Sequence, residues 1–247
     1  MTRVGALDLG TAYAEIQDRM LAAAQPDRLG TPIPACPAWT ARDVVGHVAG
    51  LAKDAVDGSL PSFNLLDQWR DESIARQRDE MTDAHVVRSR AMPFDDVVDE
   101  WRRTTKTLLP MLRGNEPFPG TPPFGMDAIL VTDLWVHDSD IGSALGRPRP
   151  ADDAATSIAL AAYSFGIAPR LDALGLAPLG LRYGEKVRVI GAGEPAATVT
   201  ADRYELVRML AGRRSRRQIA AMDWEGDPTP YLAIIPAYGE RADDLAG

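Results

Sequence analysis

Hydrophobic residues recur at helical spacing along most of the first 147 positions. This spacing predicts a first helix from about Leu7 to Ala24. A second helix begins after Thr40, and Asp43 lies three residues further on as the acidic half of a capping box. The apolar stripe of this second helix contains Val44, His47, Leu51 and Ala55. A helix with such a stripe is expected to turn one face towards a core.

Three further helices are predicted before position 147. Residues 65–90 are dense in charge, which is typical of a solvated outer helix, and His85 within them is expected to lie in solvent. Pro93 lies near the start of a fourth helix. The fifth covers residues 131–145, "VTDLWVHDSDIGSAL", and ends at Gly146. Four long helices and one extra predict a helical bundle.

The pattern changes after residues 146–153, which form the best candidate for a linker, "GRPRPADD". The next twenty or so residues still have helical spacing. Short strands are then predicted by "GLRYGEKVRVIG" and "AATVTA", and two short helices by "DRYELVRMLAGRRSRRQIAAM". The expected fold is therefore mainly α, with a helical bundle in residues 1–150 and a smaller α+β domain in residues 151–247.

Composition limits the choice of partners and compartment. The 247 residues include 27 basic and 35 acidic side chains, and the resulting net charge of −8 argues against nucleic acid as a partner. No apolar run approaches the ~18–20 residues of a membrane span, and the first residues lack a signal-peptide pattern. A cytoplasmic protein is expected. The single cysteine, Cys36, excludes cysteine-cluster metal sites and is expected to pack as a small apolar residue.

Three polar residues share one side of the fifth helix with apolar neighbours. Asp133, His137 and Asp140 follow each other at spacings of four and three. His47 has a similar position on the apolar stripe of the second helix. A buried carboxylate without a partner is costly, so these groups must be satisfied. Two arrangements would satisfy them: an ionic and hydrogen-bonded network between helices, or a metal ion held in the bundle core.

A metal ion would find a suitable set of ligands in this group. His47, Asp133 and His137 together provide two imidazoles and one carboxylate, which suits zinc with an open position or another divalent metal. Asp140 would accept the proton on the non-ligating nitrogen of His137. Asp43, one turn before His47, would do the same there. Spacing alone leaves the metal site and the metal-free network as alternatives.

Three segments resemble the mycothiol-dependent maleylpyruvate isomerase family, which belongs to the DinB/YfiT-like metal-binding bundles. The first is "PACPAWTARDVVGHVAGL", similar to the family pattern C-P-x-W-(T/S)-x-x-(D/E)-(V/L)-x-x-H. The second is "VTDLWVHDSDIGSALGRP", similar to a motif with an acid and a histidine four residues apart. The third, "YELVRMLAGRRSRRQIAAMDWEGDPTPYL", resembles a C-terminal domain of the family. The resemblance spans almost the whole chain.

This resemblance implies a DinB-like four-helix bundle and a specific set of site residues. The family binds a divalent metal, often zinc, and its ligands correspond to His47, Asp133 and His137. The acidic ligand of the family is usually glutamate, and Asp133 is one methylene shorter. A C-terminal arginine of the family holds a substrate carboxylate, for which Arg213 and Arg214 are the candidates.

The resemblance also implies the chemistry. Mycothiol is the expected thiol cosubstrate, and it would add as a thiolate to a small electrophile that carries a carboxylate. The leading hypothesis is a metal- and mycothiol-dependent enzyme, either a cis–trans isomerase or a thiol S-transferase. The alternative is a DinB-like protein that binds a small ligand or a metal and has lost the enzymatic chemistry.

Overall fold

A computed structural model describes residues 8–61, 71–120, 125–149 and 153–246 of the protein. The helices in these ranges are α1 (Leu9–Ala23), α2 (Ala41–Asp57), α3 (Glu72–Arg90), α4 (Phe94–Leu112), α5 (Met126–Ala144), α6 (Ala154–Ala173), α7 (Arg203–Leu210) and α8 (Arg216–Ala220). The strands are β1 (Leu179–Tyr183), β2 (Lys186–Ile190), β3 (Ala197–Thr200) and β4 (Asp223–Glu225). None of these helices has the length and apolar character needed to cross a membrane.

Four helices pack around a common core. Helix α1 contacts α4 and α5, and α2 contacts the same two helices. Helix α3 lies outside this group and packs against α2 and α4. The apolar stripes seen in the sequence are buried at Ile16, Met20, Val44, Val48, Trp101, Leu108, Leu130 and Leu134. The predicted bundle of four long helices and one extra is confirmed. The predicted beginnings of α1 at residue 7 and of α3 at residue 65 lie outside the described residues.

The start of α2 is fixed by the capping box that the sequence predicted. The backbone N–H of Thr40 donates to Oδ2 of Asp43 over 2.9 Å. The helix ends at Asp57, and the capping residue Gly58, with a left-handed φ of 71°, donates its N–H to the carbonyl of Asp54. These two caps define which residues of α2 are presented to the neighbouring helices.

Glycines on α2 allow α3 to approach its backbone closely. Gly46 and Gly50 lie one turn apart on α2. A Cβ at Gly46 would come within 2.0 Å of Ser89 Oγ, and one at Gly50 within 2.5 Å of His85 Cγ. The inner edge of α3 therefore places Ser89 and His85 directly against the backbone of α2.

Helix α5 is buried on more than one side. On the side away from α2, Trp135 Nε1 donates to Thr156 Oγ1 over 3.0 Å. Asp138 accepts hydrogen bonds from Arg19 at 3.0 Å and from Arg147 at 2.7 Å. These contacts fix the rotation of α5 about its axis, and its other polar face is thereby held towards the bundle interior.

The C-terminal part contains a small mixed sheet with the strand order β2-β1-β3-β4. Strands β1 and β2 form an antiparallel hairpin, β1 and β3 are parallel, and β3 and β4 are antiparallel. Its buried side chains include Leu179, Leu181, Ile190, Val199, Leu206, Val207, Leu210, Ile219 and Ile235. The predicted α+β character of this part is confirmed.

Contacts divide the chain into two compact units. The helical unit ends at Ile158, and the second unit continues from Ala159 through the sheet and the short helices. The predicted domain boundary between residues 150 and 151 lies within residues 150–152, outside the described ranges, and it stays a prediction.

Candidate metal centre

Helices α2 and α5 bring together the three residues predicted as metal ligands. His47 comes from α2, and Asp133 and His137 come from α5. One donor atom of each lies within 4.8 Å of the other two. Both histidines are buried, and the side chain of Asp133 is 23% exposed. The group is therefore largely enclosed, with access limited to the side of the carboxylate.

The carboxylate of Asp133 lies between the two imidazoles. Its Oδ2 is 3.4 Å from His47 Nε2, and its Oδ1 is 3.8 Å from His137 Nε2. These distances exceed those of ordinary N–H···O hydrogen bonds, which are about 2.7–3.2 Å. Ligands at about 2.0–2.2 Å from a tetrahedral zinc ion are separated by roughly 3.4 Å. The spacing of these donors therefore fits a cation between them, and the shorter aspartate faces both histidines.

The electrostatics of the site favour a positive charge. Burial lowers the pKa of His47, although Asp133 works in the opposite direction. Burial also acts to lower the pKa of His137, but the charge of Asp133 and the neighbouring Asp140 and Cys36 raise it to about 10. In the protein without metal, the carboxylates therefore favour the protonated, positively charged form of His137. A divalent cation would provide the positive charge in place of that proton.

Asp140 occupies the position expected from its spacing. Its Oδ2 lies 3.4 Å from His137 Nδ1, and its side chain is fully buried. The nitrogen of His137 that faces away from Asp133 thus has a carboxylate beside it. A carboxylate in this position orients a ligating imidazole and makes it more basic.

Asp43 has a different role from the one expected. Its Oδ2 accepts from the backbone N–H of Thr40, and its two oxygens also accept from Arg90 Nε at 2.7 Å and Nη2 at 2.8 Å. The capping box and the ion pair use both carboxylate oxygens. The structure therefore does not bring Asp43 to the ring of His47.

His85 takes the place at His47 that Asp43 was expected to fill. It was expected to lie in solvent, and this was wrong, because its exposed fraction is only 7%. Its Nδ1 lies 3.4 Å from His47 Nδ1, and its Nε2 lies 2.8 Å from Asp54 Oδ2. The charge-dense sequence of α3 conceals this role. A signal for it is present on α2, where Gly46 and Gly50 predict the close approach of another helix.

The segment before α2 contributes two more residues to the site. The ring of Trp39 lies 5.2 Å from that of His47 and 6.0 Å from that of His137, measured between centroids. Cys36 has its sulfur within 4.8 Å of donor atoms of His137 and Asp140. The expectation that Cys36 packs as a small apolar residue stays a prediction, and the structure adds that its sulfur lies beside polar donor atoms. Its place in the family-like motif was the available signal.

The two arginines predicted to bind substrate lie in the second unit. Arg214 is buried and donates to Glu205 from Nε and Nη2, each over 2.8 Å. Arg213 Nη1 donates to the carbonyl of Ala211 over 3.2 Å. A contact of either arginine with substrate stays a prediction.

The helical bundle with a His, Asp and His donor set between two of its helices is a DinB-like bundle. Residues 11–142, more than half of the chain, match the family model described as the mycothiol maleylpyruvate isomerase N-terminal domain. The protein therefore belongs to the mycothiol-dependent maleylpyruvate isomerase family. No curated protein sequence matches the chain significantly.

Solved structures show the same fold. The crystal structure of a mycothiol-dependent maleylpyruvate isomerase aligns with a TM-score of 0.54 and 16% identity, over 84% of this chain and 88% of that chain. A histidine-to-alanine mutant of a mycothiol-dependent maleylpyruvate isomerase aligns with a TM-score of 0.53 and 16% identity, over 83% and 87% of the two chains. At this identity the similarity establishes the fold.

Proposed function

We propose that this protein is a metal- and mycothiol-dependent enzyme that adds a thiolate to a small electrophilic molecule. The observation that carries the proposal is the convergence of His47, Asp133 and His137, whose donor atoms lie within 4.8 Å of one another. Family membership supports mycothiol as cosubstrate and a small molecule as substrate. The reaction is either a cis–trans isomerisation or the transfer of the thiol to the electrophile.

Each residue of the site has a distinct part in this proposal. His47, Asp133 and His137 hold the cation, for which zinc is the best match, and leave a fourth position open. A divalent cation bound there would lower the pKa of a coordinated thiol and make a thiolate available near neutral pH. Asp140 fixes the ring of His137 from its other nitrogen. Trp39 places an aromatic ring beside both histidines.

The two candidate reactions share their first bond-forming step. The thiolate sulfur bonds to one carbon of a conjugated double bond, and the π electrons move onto the conjugated carbonyl. In an isomerisation, rotation about the new single bond precedes loss of the same thiolate, which leaves no net change in atoms. In a transfer, the sulfur stays on the product, and the enolate either takes up a proton or expels a leaving group with its electron pair.

Elemental analysis of the purified protein tests the metal. We expect one zinc per chain in the wild type and a loss of zinc in His47→Ala and Asp133→Asn. Asp127→Asn, which removes a carboxylate in the first turn of the same helix α5, is the matched control and should keep the metal. The opposite result is a wild-type protein that contains no metal as purified and takes up none when zinc is added, together with unchanged stability in His47→Ala. This result would favour the metal-free network and the non-catalytic binding protein.

Cobalt substitution tests the thiol. We expect mycothiol to produce a sulfur-to-cobalt charge-transfer band in the cobalt protein, and His137→Ala to abolish it. Turnover of conjugated cis-configured acids with mycothiol then separates isomerase from S-transferase, because only the transferase consumes the thiol. If mycothiol leaves the cobalt spectrum unchanged, the thiol role fails even where the metal is present.

A further inference from the structure

A buried histidine outside the ligand group connects His47 to a carboxylate near the surface. The ring of His85 lies between His47 and Asp54, with its Nδ1 3.4 Å from His47 Nδ1 and its Nε2 2.8 Å from Asp54 Oδ2. The side chain of Asp54 is 27% exposed. Both nitrogens of His85 are therefore used within this chain of contacts.

The sequence of α2 builds the space for this ring. His47, Gly50 and Asp54 follow each other at spacings of three and four, which places them along one face of the helix. A Cβ at Gly50 would lie 2.5 Å from Cγ of His85 and 2.6 Å from its Cδ2. The imidazole of His85 therefore occupies the volume that a side chain at position 50 would fill, with His47 on one side and Asp54 on the other.

The 2.8 Å hydrogen bond to Asp54 sets the direction, and the longer 3.4 Å contact between His85 and His47 follows it. An ionised carboxylate only accepts hydrogen bonds, so Nε2 of a neutral His85 carries the hydrogen and its Nδ1 is an acceptor. His47 must then carry its hydrogen on Nδ1. This leaves the lone pair on His47 Nε2, the nitrogen 3.4 Å from Asp133 Oδ2. The opposite direction would set the lone pair of His85 against the carboxylate of Asp54 at 2.8 Å, which is closer than the 3.4 Å between His47 Nε2 and Asp133 Oδ2. It would also block His47 Nε2 with a hydrogen.

We propose that Asp54 and His85 are positioning residues that hold His47 in the Nδ1–H tautomer, the form whose Nε2 is free to bind a cation. The inference rests on the proposed function for the ligand role of His47. It extends the common carboxylate–histidine–metal arrangement by a second histidine. The substitution Asp54→Asn tests it with little change in shape, because an amide can also donate to His85 and so removes the preference for one direction.

Nitrogen-15 NMR of the metal-free protein reads the tautomer directly. The chain has three histidines, so the long-range correlations of each ring can be assigned by substitution. We expect His47 as the Nδ1–H tautomer in the wild type and a shift towards Nε2–H in Asp54→Asn. Asp57→Asn is the matched control, since Asp57 lies one turn further along α2 and pairs with Lys53 instead.

Zinc affinity, measured by competition with a chromogenic chelator, gives a second readout. We expect Asp54→Asn and His85→Phe to weaken zinc binding by about 10–100-fold, the usual range for partners of a ligating histidine. Asp54→Glu should restore most of the affinity, and Asp57→Asn should not change it. Circular dichroism identifies any variant that does not fold. If His85→Phe does not fold, the tautomer of His47 in Asp54→Asn decides whether the inference holds.

The possible results separate this inference from the proposed function. The inference is supported if His47 is the Nδ1–H tautomer in the wild type and this tautomer is lost in Asp54→Asn. Failure of the wild type to bind zinc would end the metal proposal but would leave this inference standing. An Nε2–H tautomer of His47 in the wild type overturns the inference. It is also overturned if Asp54→Asn and His85→Phe both fold and bind zinc as tightly as the wild type.

Discussion

Asp133 stands at the position where the family resemblance led us to expect a glutamate. The two carboxylate oxygens of Asp133 face different histidines, at 3.4 Å and 3.8 Å. The side chain also acts on its surroundings, because its charge adds to the effect of burial in raising the pKa of Tyr13. The backbone of α5 therefore already lies close enough to His47 for an aspartate to face both imidazoles.

Substitution of Asp133 by glutamate is expected to weaken metal binding. The added methylene would push the carboxylate into the two imidazoles or into a strained rotamer, at a cost of about 1–3 kcal/mol. That cost corresponds to a loss of roughly 5- to 150-fold in zinc affinity. Competition with a chromogenic chelator measures it. Tighter binding by Asp133→Glu than by the wild type would show that the aspartate is a weakened ligand and would contradict this argument.

The central residues of the site could be predicted from sequence, and their supporting residues could not. His47, Asp133 and His137 lie on apolar stripes, and burial of a polar group on such a stripe implies a partner. Helical spacing shows which residues share a face of one helix, but it does not show what a neighbouring helix brings to that face. For this reason Asp43 was assigned to His47, and the contribution of His85 from α3 was missed.

At the scale of elements, α2 contributes to the site along its whole length. Its first turn is capped by Asp43, its middle presents His47 to α5, and its last turns present Gly50 and Asp54 to α3. The orientation of the ligand therefore depends on where the helix begins and on how closely α3 packs against it.

The cap of α2 gives a prediction about pH. Burial acts to raise the pKa of Asp43, but hydrogen bonds from Arg90 and Thr40 outweigh it and lower the pKa below 3.8. A carboxyl with a lowered pKa in the folded state stabilises it above the unfolded pKa and loses that contribution as the pH falls through the folded value. We expect Asp43→Asn to lose about 1 kcal/mol of unfolding free energy at about pH 7 and much less at about pH 3.

Urea unfolding followed by tryptophan fluorescence at the two pH values measures this difference. Asp18→Asn, which changes an exposed acid on α1, is the control and should behave like the wild type at both. A loss in Asp43→Asn that is equally large at both pH values would show that the carboxylate charge is not its source.

The elements themselves were largely predictable because their apolar stripes are regular. The stripes of α1, α2, α4 and α5 are long, and each becomes a buried face of the bundle. Helix α3 has only three buried residues, His85, Val86 and Ser89, so its sequence contains almost no information about where it packs. The order of the strands, with β1 beside β3, depends on contacts distant in sequence and has no local signal.

At the scale of the whole molecule, the candidate ligands belong to one unit only. His47, Asp133 and His137 all lie in the helical unit, and the sheet belongs to the second unit. A ligand that binds the folded state alone stabilises it by RT ln(1 + [L]/Kd), which is about 2.7 kcal/mol at a free concentration of 100 times Kd. Because the metal joins α2 to α5, this stabilisation should be concentrated in the helical unit.

Hydrogen exchange with mass spectrometry tests where zinc acts. We expect zinc to slow exchange in peptides from α2 and α5 by up to about 100-fold, since 2.7 kcal/mol corresponds to that ratio, and to leave β1 and β2 unchanged. His47→Ala should show no response to zinc, which excludes binding elsewhere on this acidic chain. Equal slowing in both units would mean that the metal acts on the whole chain at once, and slowing confined to the second unit would place the metal outside the bundle.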